Sequence, residues 1–151
     1  MTKILMVCLG NICRSPLAEG ILKSKLFPGK FIVESAGLVD FHVGELPDHR
    51  SIKVANENQL DITDQRARQF ELSDFDSYDY IYAMDKQNYI RLLAMAKTEQ
   101  NKSKVKMILD EVFPGENLDV PDPYNDSVFA FRNVYKMLDE ACDKIAEKIQ
   151  N

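Results

Sequence analysis

The sequence predicts a doubly wound α/β fold, a four-stranded parallel sheet with helices on both faces. Two features carry the prediction. Short apolar runs alternate with longer segments whose apolar residues recur at helical spacing, and turn-forming Gly, Pro and Asn mark the joints between them. The first run, Lys3 to Val7, opens into Cys8-Leu9-Gly10-Asn11, as a buried parallel strand meets a turn. Pro16 suits a first helical turn, and Leu17, Ile21, Leu22 and Leu26 continue that helix until Pro28-Gly29 stops it. Phe31-Ile32-Val33 is the second strand and runs into Ser35-Ala36-Gly37. Leu38 to Pro47 reads as a long exposed loop and Ser51 to Gln59 as a second helix. Tyr80 to Met84 is the third strand, Lys86 to Ala96 the third helix and Val105 to Leu109 the fourth strand. Phe113 to Ser127 holds Pro114-Gly115 and Pro121-Asp122-Pro123 and is loop. Phe131, Val134, Leu138, Ala141, Ile145 and Ile149 lay an apolar stripe along a last helix. No repeat or low-complexity segment interrupts the pattern, so residues 1–151 are read as a single domain.

Composition narrows the function classes. At 151 residues the chain can bury a proper core, and 45% hydrophobic with 28% charged residues is the balance of a soluble globular protein. A net charge of -5 argues against a general nucleic-acid binder or a membrane-surface protein, since both need a basic face. One phosphate, by contrast, needs only a local positive potential. No apolar run reaches the roughly 20 residues of a membrane span. The opening Met1 to Val7 lacks a small-residue cleavage site and is read as strand rather than signal peptide. Three cysteines suit a reducing compartment better than a disulfide scaffold, so a cytoplasmic location is expected.

Chemistry concentrates between the first strand and the first helix. Ligands of doubly wound sheets bind beyond the carboxyl ends of the strands. Here Cys8, Leu9, Gly10, Asn11, Ile12, Cys13, Arg14 and Ser15 occupy that edge. A loop ending in a helix N-terminus points unpaired N–H groups at one spot, where the helix dipole also favours negative charge. Gly10 takes positive φ freely and Asn11 tolerates it, so the loop can wrap into an anion-binding nest that favours a thiolate at its floor. Arg14, six positions after Cys8, can fork onto two oxygens of a phosphoryl group. Thiolate, amides and guanidinium together meet the needs of in-line attack on a phosphate monoester. The bare Cys-x5-Arg spacing is weak evidence. The preceding strand, the internal Gly-Asn and the following Ser-Pro helix start make it strong.

The run Val7 to Pro16 closely resembles the signature of the low-molecular-weight protein tyrosine phosphatases, and the likeness extends over nearly the whole chain. Glu34-Ser35-Ala36-Gly37, Ala67-Arg68-Gln69, Tyr80-Ile81-Tyr82-Ala83-Met84-Asp85 and Asp122-Pro123-Tyr124 all fall in the family's order. The resemblance implies metal-free, cofactor-free hydrolysis through a cysteinyl-phosphate intermediate, with a phosphotyrosine protein or small aryl phosphate as substrate and inorganic phosphate as product. It implies Asp122 as general acid, a group the chemistry demands because a departing phenolate needs a proton. It implies that Ser15 donates a hydrogen bond to the Cys8 sulfur, beside a plain helix-capping role. Asn11 and Ser35 would brace the loop, or serve as ordinary turn residues. Phe41 and Tyr124 would wall a slot for a substrate ring, or pack on the core. Asp85 would support the arginine, or cap the helix at Lys86. Two departures stand out. Gln65 occupies a place where many relatives carry His, and Asn125 a place where some carry a second aromatic residue.

Cys13 lies in the same loop as Cys8. It is read either as a resolving thiol for oxidised Cys8 or as a small residue packed under the loop. Cys142 falls on the apolar face of the last helix, as core. His42 and His49 lie in or near the polar loop, and no Cys/His pattern for zinc exists, so no metal is expected. Three alternatives remain beside a tyrosine phosphatase. Arsenate reductase needs relay cysteines that the middle of the chain lacks. A protein-arginine phosphatase would carry a small Thr at Ile12. A non-catalytic phosphoanion-binding module would not need both Cys8 and Asp122, and both are present.

Overall fold

In the computed structural model, which describes residues 1–151, four strands lie parallel in the order β2-β1-β3-β4. They are β1 (Thr2–Cys8), β2 (Phe31–Gly37), β3 (Tyr80–Ala83) and β4 (Val105–Met107). Register runs from Thr2 opposite Phe31 to Cys8 opposite Gly37 on one side of β1, and from Ile4 opposite Tyr80 to Val7 opposite Ala83 on the other. The helices are α1 (Arg14–Lys25), α2 (His49–Glu57), α3 (Asp74–Ser77), α4 (Lys86–Met95), α5 (Glu99–Ser103) and α6 (Val128–Gln150), with a 3-10 helix at Ile108–Glu111.

The two-residue period of β1 divides the core in two. Ile4, Met6 and Cys8 join the cluster formed with Leu17, Ile21, Phe131, Val134 and Leu138 of α1 and α6. Leu5 and Val7 join the cluster with Phe75, Ile81, Leu92 and Val105 on the opposite face. Each fully buried Leu, Ile or Phe contributes about 1.5–3 kcal/mol, so both faces together hold the sheet. After β1 the chain crosses to β2 on one side, and later returns to β3 on the other. The carboxyl end of β1 is therefore the switch point where such sheets bind ligands.

The four predicted strands are present, and several boundaries move for local reasons. Arg14 and Ser15 precede Pro16 within α1, which places the proline in the first turn. Helix α2 starts two residues early because Asp48 caps it, its side chain accepting from Arg50 N, and it ends at Glu57, before Gln59 at φ 61. The apolar run Val105 to Leu109 is half strand only, since Ile108 and Leu109 curl into the 3-10 helix. The one-turn helices α3 and α5 fall in stretches too short to show a period. The predicted stripe of α6 is buried as far as Ile145, with Ile149 packed at its edge. No helix is long and apolar enough to cross a membrane.

Gly37 shows how tightly β2 closes on the loop after β1. A Cβ there would meet Leu9 O at 2.9 Å and Asn11 Cβ and Gly10 C at 3.0 Å. Gly37→Ala should lower the free energy of unfolding by about 1–3 kcal/mol in urea titration, because backbone rather than a flexible side chain must give way.

Candidate active site

Residues Cys8 to Ser15 form a tight loop whose carbonyls are bound outward. Leu9 O accepts from Leu38 N and Val39 N (2.8 and 3.0 Å), Ile12 O from Asp48 N (2.7 Å), and Cys13 O from Ser51 Oγ (3.1 Å). The amides show the reverse. None of the backbone N–H groups from Leu9 to Ser15 donates to a protein acceptor. Cys13 occupies the N-cap of α1 without a side-chain cap, so the positive end of that helix dipole is left open at the same place.

Asn11 is the bend that permits this. It stands at φ 59, and its side chain is fully used: Nδ2 donates to Ser15 Oγ (2.8 Å) and Ser35 Oγ (2.9 Å), and Oδ1 accepts from Arg68 N (3.0 Å). Ser35 Oγ in turn donates to Glu19 Oε1 (2.8 Å), whose other oxygen accepts from Lys23 Nζ (2.6 Å). Burial pushes the Glu19 carboxyl above its usual range, and the bonds from Lys23 and Ser35 only partly offset it. Ser15 Oγ lies 3.0 Å from Cys8 Sγ. Because Asn11 already donates to that oxygen, the Ser15 hydrogen is free to point at the sulfur. Ser15 makes no capping bond to the helix.

Arg14 is buried beside the loop. Its Nη1 spends both hydrogens on the protein, on Asp85 Oδ2 (2.7 Å) and Val120 O (2.8 Å). Nη2, 3.7 Å from Asp122 Oδ2, and Nε have no hydrogen-bond acceptor in the protein. Burial opposes the guanidinium charge, but Cys8 and Asp85 outweigh it and hold Arg14 above its already high range. Asp85 does both things expected of it, since Oδ1 also accepts from Asn88 N to cap α4.

Above the loop opens a cleft of about 280 Å³, lined at its floor by Cys8, Ile12 and Arg14 and at its rim by Phe41, Asp122 and Tyr124. Phe41 is 77% exposed and so is not folded onto the core. The Asp122 side chain is 45% exposed, and its Oδ1 accepts from Tyr124 N (3.1 Å). Gly10, Leu9, Cys13 and Asn125 complete the lining with two residues the sequence did not single out for it, Val39 and His42. His42 closes over Gly10, where an added Cβ would come within 3.1 Å of its ring, and tilts against Tyr124 with centroids 6.2 Å apart. Glu19 was also unmarked in the sequence; its one signal is a carboxylate among apolar neighbours on the buried half of α1. Gln65 does not reach the loop: its Nε2 donates to Pro16 O (3.0 Å) and its Oε1 is buried without a partner. Burial pushes the thiols of Cys13 and Cys142 far above the ordinary range, with negative charge around Cys13 adding to it.

A family model described as low molecular weight phosphotyrosine protein phosphatase matches residues 3–151. The chain is 36% identical to the low molecular weight protein-tyrosine-phosphatase YfkJ of Bacillus subtilis, over 99% of this chain and 97% of that protein. It superposes with TM-score 0.93 on a crystal structure of a protein tyrosine phosphatase from Entamoeba histolytica with Hepes in the active site, at 36% identity, covering 99% of this chain and 97% of that one. Vibrio vulnificus Wzb in complex with benzylphosphonate superposes with TM-score 0.87 at 33% identity, covering 97% and 98%.

Of the three free cysteines, Cys13 and Cys142 are held as protonated thiols by burial, and Cys8 lies at the floor of the cleft 3.0 Å from the Ser15 hydroxyl, beside the unpaired loop amides. Iodoacetate at neutral pH should therefore label Cys8 at least about tenfold faster than either, with phosphate slowing the reaction, as read by peptide mass mapping.

Proposed function

The chain belongs to the low molecular weight phosphotyrosine protein phosphatase family, and from that premise we propose that it hydrolyses phosphotyrosine in proteins, and small aryl phosphates, through a cysteinyl-phosphate intermediate on Cys8. The observation that carries this reading is the row of acceptor-free N–H groups from Leu9 to Ser15, which surrounds a thiol already within hydrogen-bond range of Ser15.

In the first step the Cys8 thiolate attacks phosphorus while the bond to the phenolic oxygen breaks. The amides and the free Nη2 and Nε of Arg14 take the charge on the three equatorial oxygens. Asp122, exposed on the rim and facing the Arg14 side of the cleft, gives its proton to the departing oxygen. In the second step the Asp122 carboxylate takes a proton from water as that water attacks phosphorus. Inorganic phosphate forms, and the Cys8 sulfur leaves as an anion stabilised by Ser15. Phe41 and Tyr124 hold the aromatic ring, and Ile12 narrows the floor in favour of a flat one. Cys142 is buried against α1, its Sγ donating to Ala18 O, and so is not placed to relay electrons as arsenate reduction requires. Cys13 is proposed to act as a resolving thiol despite the burial that keeps it protonated: once peroxide converts Cys8 to the sulfenic acid, the Cys13 thiol attacks that sulfur, its proton leaves with the hydroxyl as water, and a disulfide closes. A cytoplasmic location, where thiols are reduced again, fits that cycle.

Cys8→Ser should lose turnover of p-nitrophenyl phosphate by on the order of 10³ or more while still binding inorganic phosphate in calorimetry, since only the nucleophile is removed. Asp122→Ala should slow phenyl phosphate by roughly 10²–10⁴ and 2,4-dinitrophenyl phosphate far less, because a good leaving group departs unprotonated. Steady-state kinetics on the two esters decides it.

A further inference from the structure

Residues 119–126 carry Asp122 and Tyr124 yet form no helix or strand, while an acid that acts in a transition state must be held to a fraction of an ångström. The near end of this segment is tied to the sheet and α4. Val120 N donates to Met84 O (2.9 Å), Val120 O accepts from Arg14 Nη1 (2.8 Å), and Asp119 Oδ1 accepts from Lys86 N (2.8 Å). The far end is tied by one side chain, Arg50 in the first turn of α2. Its Nη1 donates to Asp126 O (2.8 Å) and its Nη2 to Tyr124 O (2.9 Å). The same guanidinium grips both oxygens of Asp48, Nε on Oδ1 and Nη2 on Oδ2, each at 3.0 Å. Its plane lies over the rings of Phe131 and Tyr124, at 4.4 and 5.8 Å from the centroids. Asp48 N in turn donates to Ile12 O in the phosphate loop (2.7 Å).

A short rigid path thus runs from the loop that holds phosphorus, through Asp48 and Arg50, to the carbonyls on the C-terminal side of Asp122. We propose that Arg50 is a positioning residue for proton transfer, fixing where Asp122 stands relative to the leaving oxygen. The proposal rests on the reading of Asp122 as general acid. Burial would raise the Asp48 carboxyl, but the bonds from Arg50 outweigh it and hold it below its usual range, so the pair stays ionised in neutral solution. A lysine cannot copy this arrangement. Its ammonium is a point charge without the planar fork needed to reach a carboxylate and two carbonyls at once.

The test compares kcat/KM for phenyl phosphate and 2,4-dinitrophenyl phosphate in the wild type, Arg50→Ala, Arg50→Lys, Asp122→Ala and the Arg50→Ala/Asp122→Ala double variant. Inhibition by inorganic phosphate reports on the phosphate loop, and thermal melting on folding. Arg50→Ala should lose about 10–100-fold on phenyl phosphate and less than about threefold on the dinitrophenyl ester, with Arg50→Lys between it and the wild type. Phosphate inhibition should move less than about threefold, and the double variant should be no slower on phenyl phosphate than Asp122→Ala alone. Equal losses on both esters in Arg50→Ala, or losses that multiply in the double variant, overturn the role of Arg50 while leaving Asp122 in place. Asp122→Ala without any leaving-group dependence removes the acid assignment and this proposal with it. If Arg50→Ala does not fold, Arg50→Lys decides: a loss confined to phenyl phosphate supports positioning, and a uniform loss or none overturns it.

Discussion

The left-handed turn at Asn11 is the constraint on which the site depends. A buried backbone ordinarily pairs its N–H groups, and leaving one unpaired away from water costs about 1–3 kcal/mol. Here the chain instead satisfies the carbonyls of Leu9, Ile12 and Cys13 from outside and leaves the matching amides free. That inversion needs a residue at positive φ, and Asn11 both accepts the conformation and locks it with three hydrogen bonds. Ser15, Ser35 and Glu19 are held by the same network, so the hydroxyl that faces the Cys8 sulfur owes its orientation to a carboxylate on the far side of the loop.

Charge is arranged with similar economy. Arg14 would be costly to bury alone, and Asp85 and the Val120 carbonyl absorb one of its terminal nitrogens completely. What remains of the guanidinium is the part with no hydrogen-bond acceptor in the protein, next to a thiol on one side and Asp122, 3.7 Å from Nη2, on the other. Asp85 also caps α4, which ties the aim of the arginine to the packing of that helix on the sheet. The chemistry is thus built into the joints of the fold rather than placed upon a finished surface.

Much of this was legible in the sequence. The alternation of apolar runs gave all four strands, and Cys8, Gly10-Asn11 and Arg14 are close enough together to be read as one device. The misreadings have physical causes. Val105 to Leu109 is continuous in hydrophobicity, yet Ile108 and Leu109 are buried by a 3-10 turn, which a short apolar run cannot distinguish from strand. Glu19 is hidden because its burial depends on Ser35, 16 residues away on β2. Arg50 is hidden more deeply, since the carbonyls it holds lie 74 and 76 residues downstream and carbonyls leave no mark in side-chain patterns. Phe41 and Tyr124, which line the cleft, belong to no period of their own, and only the family likeness points to them in the sequence.

The ring of Phe41 stands largely in solvent, that of Tyr124 is half-buried against Arg50 and His42, and neither side chain makes a hydrogen bond. Exchanges at exposed positions usually change stability by no more than about 0.5 kcal/mol, whereas Cys8, Ile12 and Arg14 at the floor of the cleft are buried. The outer rim at Phe41 can therefore vary at little cost to the fold, while the loop beneath it is bound into the network that shapes the cleft.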